Sequence, residues 1–191
     1  MERWVLLRKG ADFEAIGKKY QISPRLACLI RNRDVIGEEA VDRYLNGTIS
    51  DLYDGMLMKD MDKAIDILKE KILEDKKIRV IGDYDIDGVN ATYILLEGLE
   101  RLGADVDSDI PDRISDGYGL NRHLVERAYE AGVDTLITCD NGIAAADEIA
   151  YGKEMGMTVI VTDHHEVPFD EQDGEKRYRI PPADAVMDPK Q

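Results

Sequence analysis

Apolar residues along the 191-residue chain fall into two kinds of run. Short β-branched blocks alternate with longer stretches in which apolar residues recur every third or fourth place. The blocks are Ile78-Arg79-Val80-Ile81, Thr135-Leu136-Ile137-Thr138-Cys139 and Thr158-Val159-Ile160-Val161-Thr162, with a weaker one from Ala104 to Ile110 closed by Pro111. Each reads as a buried strand. Between them the spacing predicts helices: Met61 to Glu74 capped by Asp60, Val89 to Leu102 entered through Gly88, one from Asn121 to about Ala131, and one from about Ala144 to Met155. This alternation predicts an α/β fold, a Rossmann-like, mostly parallel sheet with helices on both faces.

Residues 1–58 predict a small helical lead-in ahead of the α/β domain at 59–191. Asp12 caps a helix to about Tyr20, and Ser23-Pro24 opens a second with Leu26, Ala27, Leu29 and Ile30 turned inward. A third runs from Glu38 to Leu45 and stops at Asn46-Gly47, after which Thr48 to Lys59 reads as irregular. Near the other end, the charged stretch Asp170 to Arg179 predicts a mobile loop.

Composition narrows the function classes. The sequence has no run of about 18 apolar residues, so no membrane span is predicted. The opening residues have too short an apolar core, and no small-residue cleavage site, for a signal peptide. Cys28 and Cys139 form no CxxC pair, which argues against a zinc knuckle or disulfide framework and for a reducing, cytoplasmic setting. A net charge of −15 argues against a polyanionic partner, but the charge is uneven. Met1 to Arg33 holds eight basic and three acidic residues, leaving 17 basic and 37 acidic for the rest. The basic stretch suits contact with a nucleic-acid backbone as well as it suits an ordinary solvated face.

The chemistry lies at the strand ends. Asp83, Asp85 and Asp87 follow the first block, Asp140 follows the second, and Asp163-His164-His165 follow the third. Three carboxylates within five residues repel one another unless a cation sits among them. A parallel sheet gathers the carboxyl ends of its strands on one rim, where ligands bind. A solvated turn of acids explains any one of these ends; three on one rim predict a divalent-metal site. Carboxylates mixed with imidazole suit Mn²⁺ or a similar ion better than an all-oxygen calcium cage. A pair of such ions is the arrangement used for in-line attack of water on phosphorus. No GxGxxG follows a strand, and GxxxxGK[ST], HExxH and GxSxG are absent. His123, alone on a predicted helix, reads as a surface or packing residue.

Four segments, GDYDIDGVNAT (82–92), IPDRISDGYGLN (110–121), CDNGI (139–143) and VTDHHEVP (161–168), together resemble the DHH phosphoesterase superfamily. Within it, the lead-in SPRLACLIRNR and the run MDKAI resemble the RecJ family of single-strand-specific DNA exonucleases. Other branches carry His-x-x-x-Asp-x-Asp in the first motif; here Ile81 stands at the histidine position and Asp83 lies upstream, as in the RecJ form. Asn90, where members often have Thr, is a mild departure.

The resemblance implies Mn²⁺ or Mg²⁺ at a two-metal site and hydrolysis of phosphodiester bonds in single-stranded DNA, in repair or recombination alongside other DNA-repair proteins. Asp85 would bind one ion, supported by Asp83; Asp87 and His164 would bind the second; Asp140 would bridge them. His165 would contact the scissile phosphate, and Asp163 would orient the histidines. Arg113 would hold a phosphate and Tyr118 would stack on a base, or both would serve only the Gly-Tyr-Gly turn. The family's fold continues to a further acidic ligand and a second, glycine-rich domain, and Asp184 and Asp188 do not match that later motif. The domain is therefore expected to be incomplete at its carboxyl end, and weak or inactive as a fragment. The alternatives are a DHH enzyme for short oligonucleotides or cyclic dinucleotides, and a catalytically inactive DHH-fold binding module.

Overall fold

A computed structural model describes residues 9–172 and 174–191. The first part of the basic stretch, Arg3 to Arg8, and Asp173 lie outside the described residues. The chain forms two compact units divided between Asp54 and Gly55, against the expected boundary at 58/59.

The first unit holds α1 (Phe13–Tyr20), α2 (Pro24–Asn32) and α3 (Glu38–Asn46). Asp12 accepts from the Ala15 amide and Ser23 from the Leu26 amide, so both start signals act as caps. Ala27 and Ile30 are buried, but Leu26 and Leu29 are 40% and 53% exposed. The buried stripe of α2 is therefore narrower than the apolar pattern predicts.

The second unit runs α4 (Met61–Leu73), β1 (Ile78–Ile81), α5 (Ile86–Arg101), β2 (Val106–Asp109), α6 (Arg122–Glu130), β3 (Thr135–Cys139), α7 (Ala146–Glu154) and β4 (Thr158–Thr162). After these come β5 (Phe169–Gln172), β6 (Glu175–Tyr178) and β7 (Ala185–Met187). Five strands form one parallel sheet in the order β2-β1-β3-β4-β7. Side chains alternate between two cores, as a doubly covered sheet requires. Leu136, Val159 and Val161 pack toward Leu124, Val125 and Ile149 of α6 and α7. Val80, Ile137 and Ile160 pack toward Ala64 of α4 and Leu99 of α5. The α/β reading, with helices on both faces, holds.

Four expectations change. The helix after β1 begins at Ile86 rather than Val89, because Asp85 caps it by accepting from the Gly88 amide at 3.0 Å. Asp60 precedes α4 in the left-handed region (φ 58°) and gives it no side-chain cap. Its carboxylate instead accepts from the Val186 amide at 3.1 Å, tying the start of α4 to β7. The charged stretch from Asp170 is a hairpin, β5 against β6, with Phe169 and Tyr178 paired edge-on and Lys176 over the Phe169 ring. Finally, β7 extends the sheet although Ala185-Val186-Met187 is too short to stand out as a periodic run.

This topology decides where a ligand sits. From β1 the chain crosses to β2 on one side, then to β3 on the other, so the winding reverses between β1 and β3. The crevice beyond the carboxyl ends of those two strands is the expected binding place of such a sheet.

Candidate metal centre

Asp83 follows β1 and is fully buried, with neither carboxylate oxygen hydrogen-bonded. It fits because Gly88 has no side chain: a Cβ there would lie 2.7 Å from the Asp83 carbonyl oxygen and 2.8 Å from its Cβ. Two residues on, Asp85 is exposed at the cap of α5. The Gly88 amide, donating to it at 3.0 Å, holds its carboxyl below the usual range. Asp87, in the first turn of α5, points a carboxylate oxygen to 4.0 Å from His164 Nε2.

From β3 comes Asp140, nearly buried and in the left-handed region at φ 61°, an uncommon conformation for a residue with a side chain. Its Oδ1 lies 2.6 Å from His164 Nε2, and its Oδ2 is buried without a partner. Burial, with Asp87 and Asp85 adding to it, pushes its pKa up; the His164 contact opposes that. After β4, Asp163 is saturated: Oδ1 accepts from the His164 and His165 amides and faces His165 Nδ1 at 2.7 Å, while Oδ2 accepts from the Ile143 amide. Asp163 therefore orients the ring of His165 only. The ring of His164 is held by Asp140, a correction to the expectation that one carboxylate serves both histidines.

His165 Nδ1 facing Asp163 leaves Nε2 as the acceptor for the Tyr118 hydroxyl at 3.0 Å. The Asp163 contact raises the pKa of His165. Burial, then the charges of Asp83 and Asp140, pushes the Tyr118 phenol up to about 12, so it stays a donor at neutral pH. Tyr118 also meets Tyr84 edge to face, and Arg113 lies over the Tyr84 ring, 5.2 Å from its centroid. Tyr118 thus braces His165 with its hydroxyl, and Arg113 is exposed beside it.

Two groups emerge among the described residues. Asp83, Asp85 and Asp140 offer ligand atoms within 4.8 Å of one another, as do Asp140, His164 and His165. Asp140 belongs to both. Buried carboxylate oxygens without partners are costly, and a cation is the natural partner for oxygens that lack donors. The orphaned atoms of Asp83 and Asp140, set among carboxylates and imidazoles, fit a divalent transition ion.

Residues 77–191 match the DHH family, N-terminal domain. The chain belongs to the DHH family. Among its DHH relatives, the single-stranded-DNA-specific exonuclease RecJ of Bacillus subtilis (strain 168) is 38% identical over 99% of this chain and 23% of that protein. A crystal structure of exonuclease RecJ bound to manganese matches with a TM-score of 0.61 at 37% identity, covering 72% of this chain and 33% of that one. RecJ from Thermus thermophilus, in complex with Mn²⁺, also gives 0.61, at 29% identity, over 98% of this chain and 25% of that one. The chain spans about a quarter of the length of the curated relatives it matches.

Two residues at the same rim escape a reading by residue type. Asn141 is buried between the ends of β1 and β3. Asp188, just past β7, is buried with Oδ2 unpartnered, and burial raises its pKa. Asn141 lies within the CDNGI segment and Asp188 does not match the family's later acidic motif, and residue type alone gives neither a role; strand register brings both to the rim.

Proposed function

We propose that this DHH domain serves metal-dependent hydrolysis of phosphodiester bonds in single-stranded DNA, as part of a RecJ-type exonuclease acting in DNA repair or recombination. The observation that carries this reading is Asp140, shared by two cation-ready groups, with its Oδ2 and both carboxylate oxygens of Asp83 buried and without a partner. The likeness to RecJ proteins crystallised with manganese supports Mn²⁺, or Mg²⁺ in its place.

Asp83 and Asp85 would hold one ion, Asp87 and His164 the other, and Asp140 both. Bound there, the ions supply charge neutralisation at phosphorus and at the leaving oxygen. The chain's own residues do the rest. His165, oriented by Asp163 and braced by Tyr118, is set to donate from Nε2 to a phosphate oxygen as the imidazolium that the Asp163 contact favours, once that oxygen displaces the tyrosine hydroxyl. Arg113 offers a guanidinium to a neighbouring phosphate. The partner is single-stranded DNA, with other repair proteins around it. No helix among the described residues is long and apolar enough to cross a membrane, and a cytoplasmic site of action fits this chemistry.

Calorimetric titration with MnCl₂ tests the reading. The chain should bind Mn²⁺, and Asp140→Ala should abolish binding at both groups. In the full-length protein the same substitution should reduce single-stranded DNA hydrolysis by about 10²-fold or more, since loss of residues that merely orient ligands already costs about 10–100-fold. Faster hydrolysis of dinucleotides than of long single strands would instead assign the domain to the short-substrate DHH enzymes. Indifference of metal binding to Asp140→Ala would sink the reading.

A further inference from the structure

The metal-facing carboxylates come from two strands that part company just below them. In the parallel pairing of β1 with β3, the last matched residues are Ile81 and Thr138; β3 continues to Cys139 while β1 has ended. Past that point Asp83 turns away toward the cap of α5, so β1 provides no further rung. The gap is closed by the side chain of Asn141. Its Nδ2 donates to the Ile81 carbonyl at 3.1 Å and to the Cys139 carbonyl at 2.9 Å. Both acceptors are carbonyl oxygens, so the nitrogen end of the amide must face them. Asn141 Oδ1 is buried with no partner. An unpaired buried acceptor disfavours folding, so the two donated bonds are what the position has to offer.

We propose that Asn141 is a positioning residue of the metal centre: its amide ties the ends of β1 and β3 together and so sets the spacing of Asp83 and Asp140. This inference rests on the metal-centre reading above. Ile81 lies two residues before Asp83, and Cys139 and Asn141 flank Asp140, so both carboxylates hang directly from the clamp. Asp140 is held in its left-handed conformation between two fixed points, the Asn141 amide bonds and its own N–H donating to the Thr162 carbonyl at 3.1 Å. Gly119, at φ 71°, covers the clamp with its α-carbon side: a Cβ there would sit 3.5 Å from Asn141 Cβ. The loop carrying Tyr118 is thereby seated on the same residue.

Two variants separate positioning from mere packing. Asn141→Ala removes both bonds, and Asn141→Ser keeps the site polar but cannot reach Ile81; should the first not fold, the second decides. Ile149→Val, a core change on α7, is the packing control. Calorimetry with MnCl₂ on the 191-residue chain should show affinity reduced about tenfold or more by the Asn141 substitutions, the range expected for residues that orient ligands. Ile149→Val should lower the melting temperature and leave affinity unchanged. A metal-free readout runs beside it: in EDTA, amide exchange at Asp140 should accelerate in Asn141→Ser and not in Ile149→Val. Affinity within about twofold of wild type in both Asn141 variants, well short of the loss expected when ligand orientation fails, or an equal loss in Ile149→Val, would overturn the inference while leaving the metal centre standing. Failure of the wild-type chain to bind Mn²⁺ would overturn both.

Discussion

Asp140 carries contradictory demands. It is nearly buried, its Oδ2 has no partner, and two other carboxylates crowd it, yet a cation needs it ionised. Its raised pKa gives a definite sign to two measurements. A carboxyl raised above its unfolded value contributes stability below that unfolded value and loses it as pH rises through the folded pKa. The metal-free chain should therefore be destabilised by ionising Asp140, and Asp140→Asn should flatten that part of the pH dependence in thermal melts. Metal binding runs the other way, because the ion competes with the proton. Mn²⁺ affinity measured calorimetrically should fall as pH drops through the raised pKa of Asp140, with proton release on binding in the same window. At this scale residue types were legible: a carboxylate or imidazole after a β-branched block announces itself. Asn141 was not, because an asparagine is informative only once the two carbonyls it bridges are known.

The strand–turn–helix from Ile78 to Arg101 shows how one element serves fold and site together. Gly82 and Gly88 let the start of α5 press against the end of β1: a Cβ on Gly82 would collide with Thr92 Oγ1, and one on Gly88 with Asp83. Helix propensity alone says Gly88→Ala should stabilise α5 by about 1 kcal/mol. The steric argument wins here, since overpacking costs about 1–3 kcal/mol and the obstructing atoms include backbone. Gly88→Ala should lower Tm by several degrees, at roughly 2–4 °C per kcal/mol for a chain of this size, and weaken Mn²⁺ binding by displacing Asp83. A rise in Tm with unchanged affinity would contradict this. The core strands β1, β3 and β4 could be read from sequence because burial on both faces demands β-branched and apolar runs, broken in β1 only by Arg79, which pairs with Asp107. The β5–β6 hairpin could not, since its cross-strand pair Phe169–Tyr178 is set in a charged stretch. Nor could the role of Asp60, whose carboxylate serves Val186 rather than its own helix.

On the scale of the whole molecule, the net charge of −15 and the carboxylates converging on one rim act in the same direction. Without a cation the chain carries self-repulsion that salt screens. Its metal-free Tm should rise with added KCl, and Mn²⁺ should raise it further by mass action, through a stabilisation of about 2.7 kcal/mol at a free concentration roughly 100 times Kd. EDTA should reverse the second effect and leave the first. A chain whose Tm ignores both would not contain the charge cluster described.

The centre draws on Asp83 at one extreme and His165 at the other, across three crossovers of the sheet, through α5, α6 and α7. On a ribosome adding about 5–20 residues each second, several seconds separate the emergence of the first acid from that of the last imidazole. Through that interval the nascent chain exposes its acids with no pocket to close around an ion. Capture of an ion by Asp140 together with the histidines is consequently a late event in biogenesis, and an ion held by that group certifies that β4 has already docked beside β3.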